Sequence, residues 1–177
     1  MLYGFGPYRE FRDNITAKLV KAARSRAGLK KFVFPVRFHR AQFIDAIKRT
    51  NPAIILGLGQ SARRKIEAES QALNHRRARP AEKPRKISVG GPMRLPTTLA
   101  LKTGRRTGRS SNAGDYVCNF SMYVMLDHLR RNALDARYGF IHIPHDYDPA
   151  KAAELLERIL GDCQRTLGPS SAVLKIR

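Results

Sequence analysis

Short apolar runs alternate with amphipathic stretches along the chain, a rhythm that predicts strands interleaved with helices and hence an α/β fold. Lys31–Val36 reads as a strand, closed near its end by Pro35. In Ala41–Arg49, which follows, Phe43, Ile44 and Ile47 fall at helical spacing. Ala53–Leu56 is a continuous apolar run ending in Gly57-Leu58-Gly59, as expected of a buried strand in a parallel sheet. Phe140–Ile143 is a second such run, stopped by Pro144. Asp148-Pro149 then opens a helix, with Asp148 as N-cap and Pro149 at the first position. Its apolar side comes from Ala153, Leu155, Leu156, Ile159 and Leu160.

The most apolar helix is expected to start near Asp115 or Tyr116, after the turn-forming run Ser110–Gly114. Val117, Phe120, Met122, Val124, Met125 and Leu129 cover most of its surface. Such a helix is buried among other elements, with Cys118 in its first turn. His75–Lys86 and Lys102–Arg109 read as solvated loops that carry much of the positive charge. Asn14-Ile15-Thr16 has the form of a glycosylation acceptor, but with no secretion signal it reads as a turn and helix cap.

The 177 residues suit a single domain over 1–177 with a core of its own. No apolar run approaches the roughly 20 residues of a membrane span, and no leader-like segment is visible, so the cytoplasm is the expected location. Cys118 and Cys163 are the two cysteines, and they form neither a disulfide framework nor a metal-ligand pair. Cys163 reads as an ordinary buried thiol. A formal charge of +20 changes the picture more, because it attracts polyanions without specificity. The arginine-rich segments nevertheless lack interleaved aromatics, and no helix-turn-helix, zinc-knuckle or RNA-recognition pattern is present.

Candidate chemistry lies elsewhere. A cysteine in a first helical turn feels the positive helix end and its unpaired N–H groups, which favour the thiolate and can receive an oxyanion. A histidine at the C-terminal end of a strand lies where ligands collect in open α/β sheets, and His142 is so placed. Proximity alone would make the two an acyl-transfer pair. Spacing leaves the plain reading, a core cysteine and a strand-end histidine, open beside it.

Ser111–Asn119, with Tyr123 a turn later, resembles the catalytic-cysteine motif of pyroglutamyl-peptidase I. Phe140–Pro144 resembles that family's F-x-H-x-P segment, which carries its catalytic histidine. Gly57–Gln60, followed by Ile66–Glu69 and Ala72–Asn74, is similar to the stretch holding the family's catalytic glutamate, which falls on Glu69. Gly4–Tyr8 resembles the opening G-F-x-P-F, and Gly91-Pro92 with Thr97–Lys102 resembles a further family stretch.

The resemblance implies a three-layer α/β/α sandwich of the phosphorylase/hydrolase-like kind with a mostly parallel central sheet. It also implies no metal or cofactor, and a homotetramer. The implied reaction removes an N-terminal pyroglutamate from a peptide, with Cys118 as nucleophile, His142 as base and Glu69 orienting His142. Phe5 and Tyr8 would sandwich the lactam ring, and Gln60 would help shape its pocket. Arg79 matches a family arginine, with no role assigned. The chain departs from the pattern at Tyr8, where phenylalanine is usual, and at Arg9-Glu10 and Arg63-Arg64, which replace glycine-rich sequence. Gly90 replaces an aspartate, and Lys102–Ser110 is short for the helix end and strand expected there. The first strand also looks clipped ahead of the Gly-Phe motif.

Overall fold

The structure is a computed structural model and describes residues 1–8, 12–101, 104 and 107–167. In chain order its elements are β1 (Leu2–Phe5), α1 (Ile15–Ala22), β2 (Lys31–Phe34), α2 (Arg40–Thr50), β3 (Ile54–Ser61) and β4 (Glu67–Glu69). There follow β5 (Gln71–Leu73), β6 (Arg94–Pro96), β7 (Gly108–Ser110), α3 (Val117–Arg131), β8 (Arg137–Pro144) and α4 (Pro149–Leu167). Six strands make one sheet in the order β2-β1-β3-β8-β4-β7, and β5 pairs with β6 apart from it. The first four run parallel, whereas β4 is antiparallel to β8 and carries β7 parallel to itself.

The period of two along each strand sorts the core into two layers. Leu2, Leu56, Leu58, Ile141 and Ile143 face α1 and α4, packing with Leu19, Val20, Leu156 and Ile159. Tyr3, Phe5, Ile55, Tyr138 and Phe140 face the other way and pack with Phe43 and Ile47 of α2 and with most of α3. Helices therefore cover both faces of a mostly parallel sheet, which is the expected three-layer α/β/α arrangement. Met122 and Met125 of α3 are fully buried. No helix among the described residues is long and apolar enough to cross a membrane.

Boundaries shift for physical reasons. The strand expected over Lys31–Val36 ends at Phe34, because Pro35 has no N–H to continue the ladder. β3 does not stop at its glycines but runs through them to Ser61, held in register by β8 from Ile54↔Arg137 to Ser61↔Pro144. β1 has four residues, all buried; β2 pairs with all four of them and β3 with Leu2 and Tyr3. The short segment before the cysteine turn still yields a strand, β7, of three residues. Lys102, Thr103, Arg105 and Arg106 of that segment lie outside the described residues.

Asn14 caps α1, its Oδ1 accepting from Thr16 N at 3.0 Å and its Nδ2 donating to Gly6 O at 3.1 Å. Asp148 caps α4 through Oδ1, which accepts from Ala150 N and Lys151 N at 2.8 and 3.1 Å.

Candidate active site

Three elements converge at one end of the sheet. α3 begins at Val117, so Cys118 lies in its first turn, where backbone N–H groups have no intrahelical partner. Tyr116 at the N-cap places no side-chain hydrogen bond on that turn. His142 stands near the C-terminal end of β8, opposite Gly59 of β3 on one side and Glu67 of β4 on the other. Its ring lies on the layer shared with α3, edge-on to Phe140 at 5.1 Å.

Glycine at position 59 makes this closeness possible. A Cβ there would come within 2.8 Å of Cys118 Sγ, of His142 Cδ2 and of Phe140 Cε1. Any side chain would wedge the sulfur from the imidazole. Gly57, two residues earlier on the same face, makes room in the same way for the Tyr3 and Phe140 rings.

His142 Nδ1 meets Glu69 Oε1 at 2.6 Å, leaving the other side of the ring for Cys118, whose Sγ and the His142 Cδ2 would each lie 2.8 Å from a Cβ at position 59. Burial works against a charged imidazole here, but the hydrogen bonds and charges of Cys118 and Glu69 outweigh it, and His142 is pushed up to about 9. Burial likewise opposes charge on Glu69. Its hydrogen bond and attraction to His142 prevail, helped by Ser110 and Arg63, and its carboxyl is held below the usual range. Among the described residues Glu69 Oε2 is buried without a hydrogen bond of ordinary geometry, and the nearby Ser110 hydroxyl meets Asn112 O at 3.3 Å.

Below the sulfur lies a closed polar network. Ser121 Oγ donates to Cys118 O at 2.8 Å and meets Tyr3 Oη at 3.0 Å, and Tyr3 Oη meets Tyr138 Oη at 2.6 Å. Asn119, fully buried, anchors the start of α3 to β5. Its Oδ1 accepts from Leu73 N at 2.8 Å, and its Nδ2 donates to Leu73 O and His75 O at 2.9 and 2.8 Å.

The residues expected to hold the lactam are more scattered. Phe5 is only 3% exposed and packs edge-on against Tyr3 and Phe43. Tyr8 packs instead on Tyr116, with ring centroids 5.1 Å apart, at a cavity of about 170 Å³ also lined by Arg79 and Pro80. Gln60 Oε1 accepts from Ile15 N at 3.0 Å and so supports the start of α1. The loop after β5 is less solvated than its charge suggests. Arg76 lies over Phe38 and Phe120, and Arg77 pairs with Asp115 at 2.5 Å. Cys163 is half-buried in the α1–α4 layer, and burial pushes its thiol up.

Two contributors escaped the sequence analysis. Asn119 was part of a motif with no role attached, and an asparagine in a first helical turn carries no signal of what it binds across the fold. Arg63 was visible only as a departure from glycine, yet it ion-pairs with Glu69 and Glu67.

A helix-start thiol against an imidazole, backed by a buried carboxylate on an α/β/α sheet, defines a cysteine hydrolase. The comparisons with known proteins agree. The family model described as "Pyroglutamyl peptidase" matches residues 1–158, and the chain belongs to that family. It is 31% identical to a pyrrolidone-carboxylate peptidase of Bacillus velezensis, over 82% of this chain and 77% of that one. It is 28% identical to pyrrolidone-carboxylate peptidase 1 of Saccharolobus solfataricus, over 81% and 77% respectively. A solved variant of pyrrolidone carboxyl peptidase from Pyrococcus furiosus shares the fold with a TM-score of 0.83 at 22% identity, covering 94% of this chain and 98% of its own.

Proposed function

We propose that this protein is a thiol omega-peptidase that removes N-terminal pyroglutamate from peptides. The observation that carries the reading is the Cys118–His142–Glu69 constellation in a chain of this family. With its proton on His142, Cys118 Sγ attacks the pyroglutamyl carbonyl carbon, and the N–H groups of the α3 first turn receive the oxyanion. The C–N bond breaks as His142 gives its proton to the departing amine, leaving a thioacyl enzyme. Water then attacks that carbonyl carbon as His142 takes the water's proton, and the C–S bond breaks to release pyroglutamate and the Cys118 thiolate. Glu69 holds the imidazole by Nδ1 and stabilises its charge throughout.

Phe5 and Tyr8 are proposed to bound the lactam from the β1 side, with Gln60 fixing the neighbouring start of α1. A reactive thiol that must stay reduced suits the cytoplasm. A homo-oligomer, a tetramer by family resemblance, is supported by Val89 and Met93, large apolar side chains 90% and 62% exposed on one loop.

The deciding experiment is hydrolysis of a fluorogenic pyroglutamyl amide in reducing buffer, with Cys118→Ala as control. Turnover is expected for the native chain, and a loss on the order of a thousandfold or more for the variant. No turnover by folded native protein would reject the reading in favour of a family member that binds polyanions through its basic surface.

A further inference from the structure

Arg63 enters the site from the loop between β3 and β4, and its guanidinium contacts two other pieces of structure. Nη1 meets Glu69 Oε1 at 2.9 Å and also pairs with Glu67, while Nη2 donates to the Asn112 carbonyl. Glu67 and Glu69 belong to β4, and Asn112 belongs to the turn that leads into α3 and Cys118. One planar side chain thus ties the carboxylate strand to the nucleophile's own loop. A guanidinium suits this better than an ammonium, because its donors are fixed in a fork.

Two consequences follow for Glu69. Among the described residues Oε2 has no hydrogen bond that meets ordinary geometry, so the carboxylate is oriented chiefly through Oε1, which is shared by His142 Nδ1 and Arg63 Nη1. Without Arg63 a single contact would remain to fix a terminal torsion that is intrinsically broad. Moreover, Glu67 and Glu69 reach the same guanidinium nitrogen, so their charges lie close together. Like charges held close together favour protonation of one carboxylate, most of all the fully buried one, and a positive group between them opposes it.

We propose that Arg63 is a positioning residue of this active site, holding Glu69 charged and in line with His142 while securing the loop before Cys118. The inference rests on reading Cys118, His142 and Glu69 as the working triad. The groups that face His142 are Cys118 from α3, Glu69 and Glu67 from β4, and Gly59, with no side chain, from β3; Phe140 flanks it on its own strand. Arg63 is the cation that meets both carboxylates among the described residues.

The test has two readouts in a Cys163→Ser background: turnover of the pyroglutamyl amide, and the pH dependence of iodoacetamide alkylation of Cys118, which needs no substrate. For Arg63→Ala, kcat is expected to fall about tenfold or more with KM within about twofold, as befits misplaced chemistry rather than lost binding. The acid limb of alkylation should move to higher pH. Arg63→Lys should recover part of both effects, and adding Glu67→Gln to Arg63→Ala should move the acid limb back. The exposed neighbour variant Arg64→Ala should match the parent. A kcat within about twofold of the parent with an unmoved limb would overturn the proposal. So would a loss that Lys does not relieve while the limb stays put, since that pattern marks simple support of the fold. If the parent itself turned over no pyroglutamyl amide, the proposed function would fall, and the alkylation limb alone would still decide the role of Arg63.

Discussion

His142 concentrates the electrostatics of the site in one ring. It is 4% exposed, yet carboxylate and sulfur together push it from an ordinary 6.5 to about 9. The native state therefore binds this proton more tightly than the unfolded chain does. The stability gained is fully present below pH 6.5 and is lost as pH rises through about 9. Glu69 works in the opposite direction, since its lowered carboxyl stabilises the fold above its ordinary 4.5 and loses that contribution as pH falls through the native value. Denaturant titrations at a series of pH values should show a decline between pH 6.5 and 9 that disappears in His142→Gln. The same proton is the one given to the leaving amine, so kcat/KM for a pyroglutamyl amide should fall above about pH 9.

At the scale of elements, the start of α3 is secured from the side rather than capped from its own sequence. Asn119 does this with three hydrogen bonds to the backbone of Leu73 and His75. Asn119→Ala would leave those buried groups unpaired, and the expected cost is about 3 kcal/mol, read from urea denaturation. Activity should fall with it, because the same bonds fix where Cys118 points. The elements themselves were legible to different degrees. The apolar runs at Ala53–Leu56 and Phe140–Ile143 announced the central strands, and the Asn14 and Asp148 caps lay where short polar side chains precede helices. The extension of β3 through Gly57 and Gly59 was not legible. Locally those glycines read as a strand end, and their use becomes clear only when Tyr3, Phe140 and His142 from other strands cross above them. The cysteine and histidine segments stood out through their resemblance to a known motif. Arg63 did not, because its value depends on Glu69 and Asn112, which the fold alone brings to it.

At the scale of the molecule, the charge of +20 is managed by spending acidic groups sparingly. Asp127, with its side chain fully buried, holds Arg40, Arg130 and Arg131 at 3.3, 2.9 and 2.8 Å, and Glu157 takes Arg26. Exposed cations such as Arg64, Lys65 and Arg109 remain on the surface beside the site. Binding to duplex DNA should accordingly be non-specific and should weaken on the order of a thousandfold between about 50 and 200 mM salt. A filter-binding titration checks this; binding that withstands the change would point to a dedicated nucleic-acid site. The sheet order has a consequence in time as well as in space. Glu69 and His142 are 73 residues apart in the chain, and the β3–β8 register joins residues farther apart still. Pairings of such range are slow to form. A chain still growing or still folding thus carries Cys118 without its imidazole and its carboxylate. The site is complete only once the β3–β8 and β8–β4 registers have both formed.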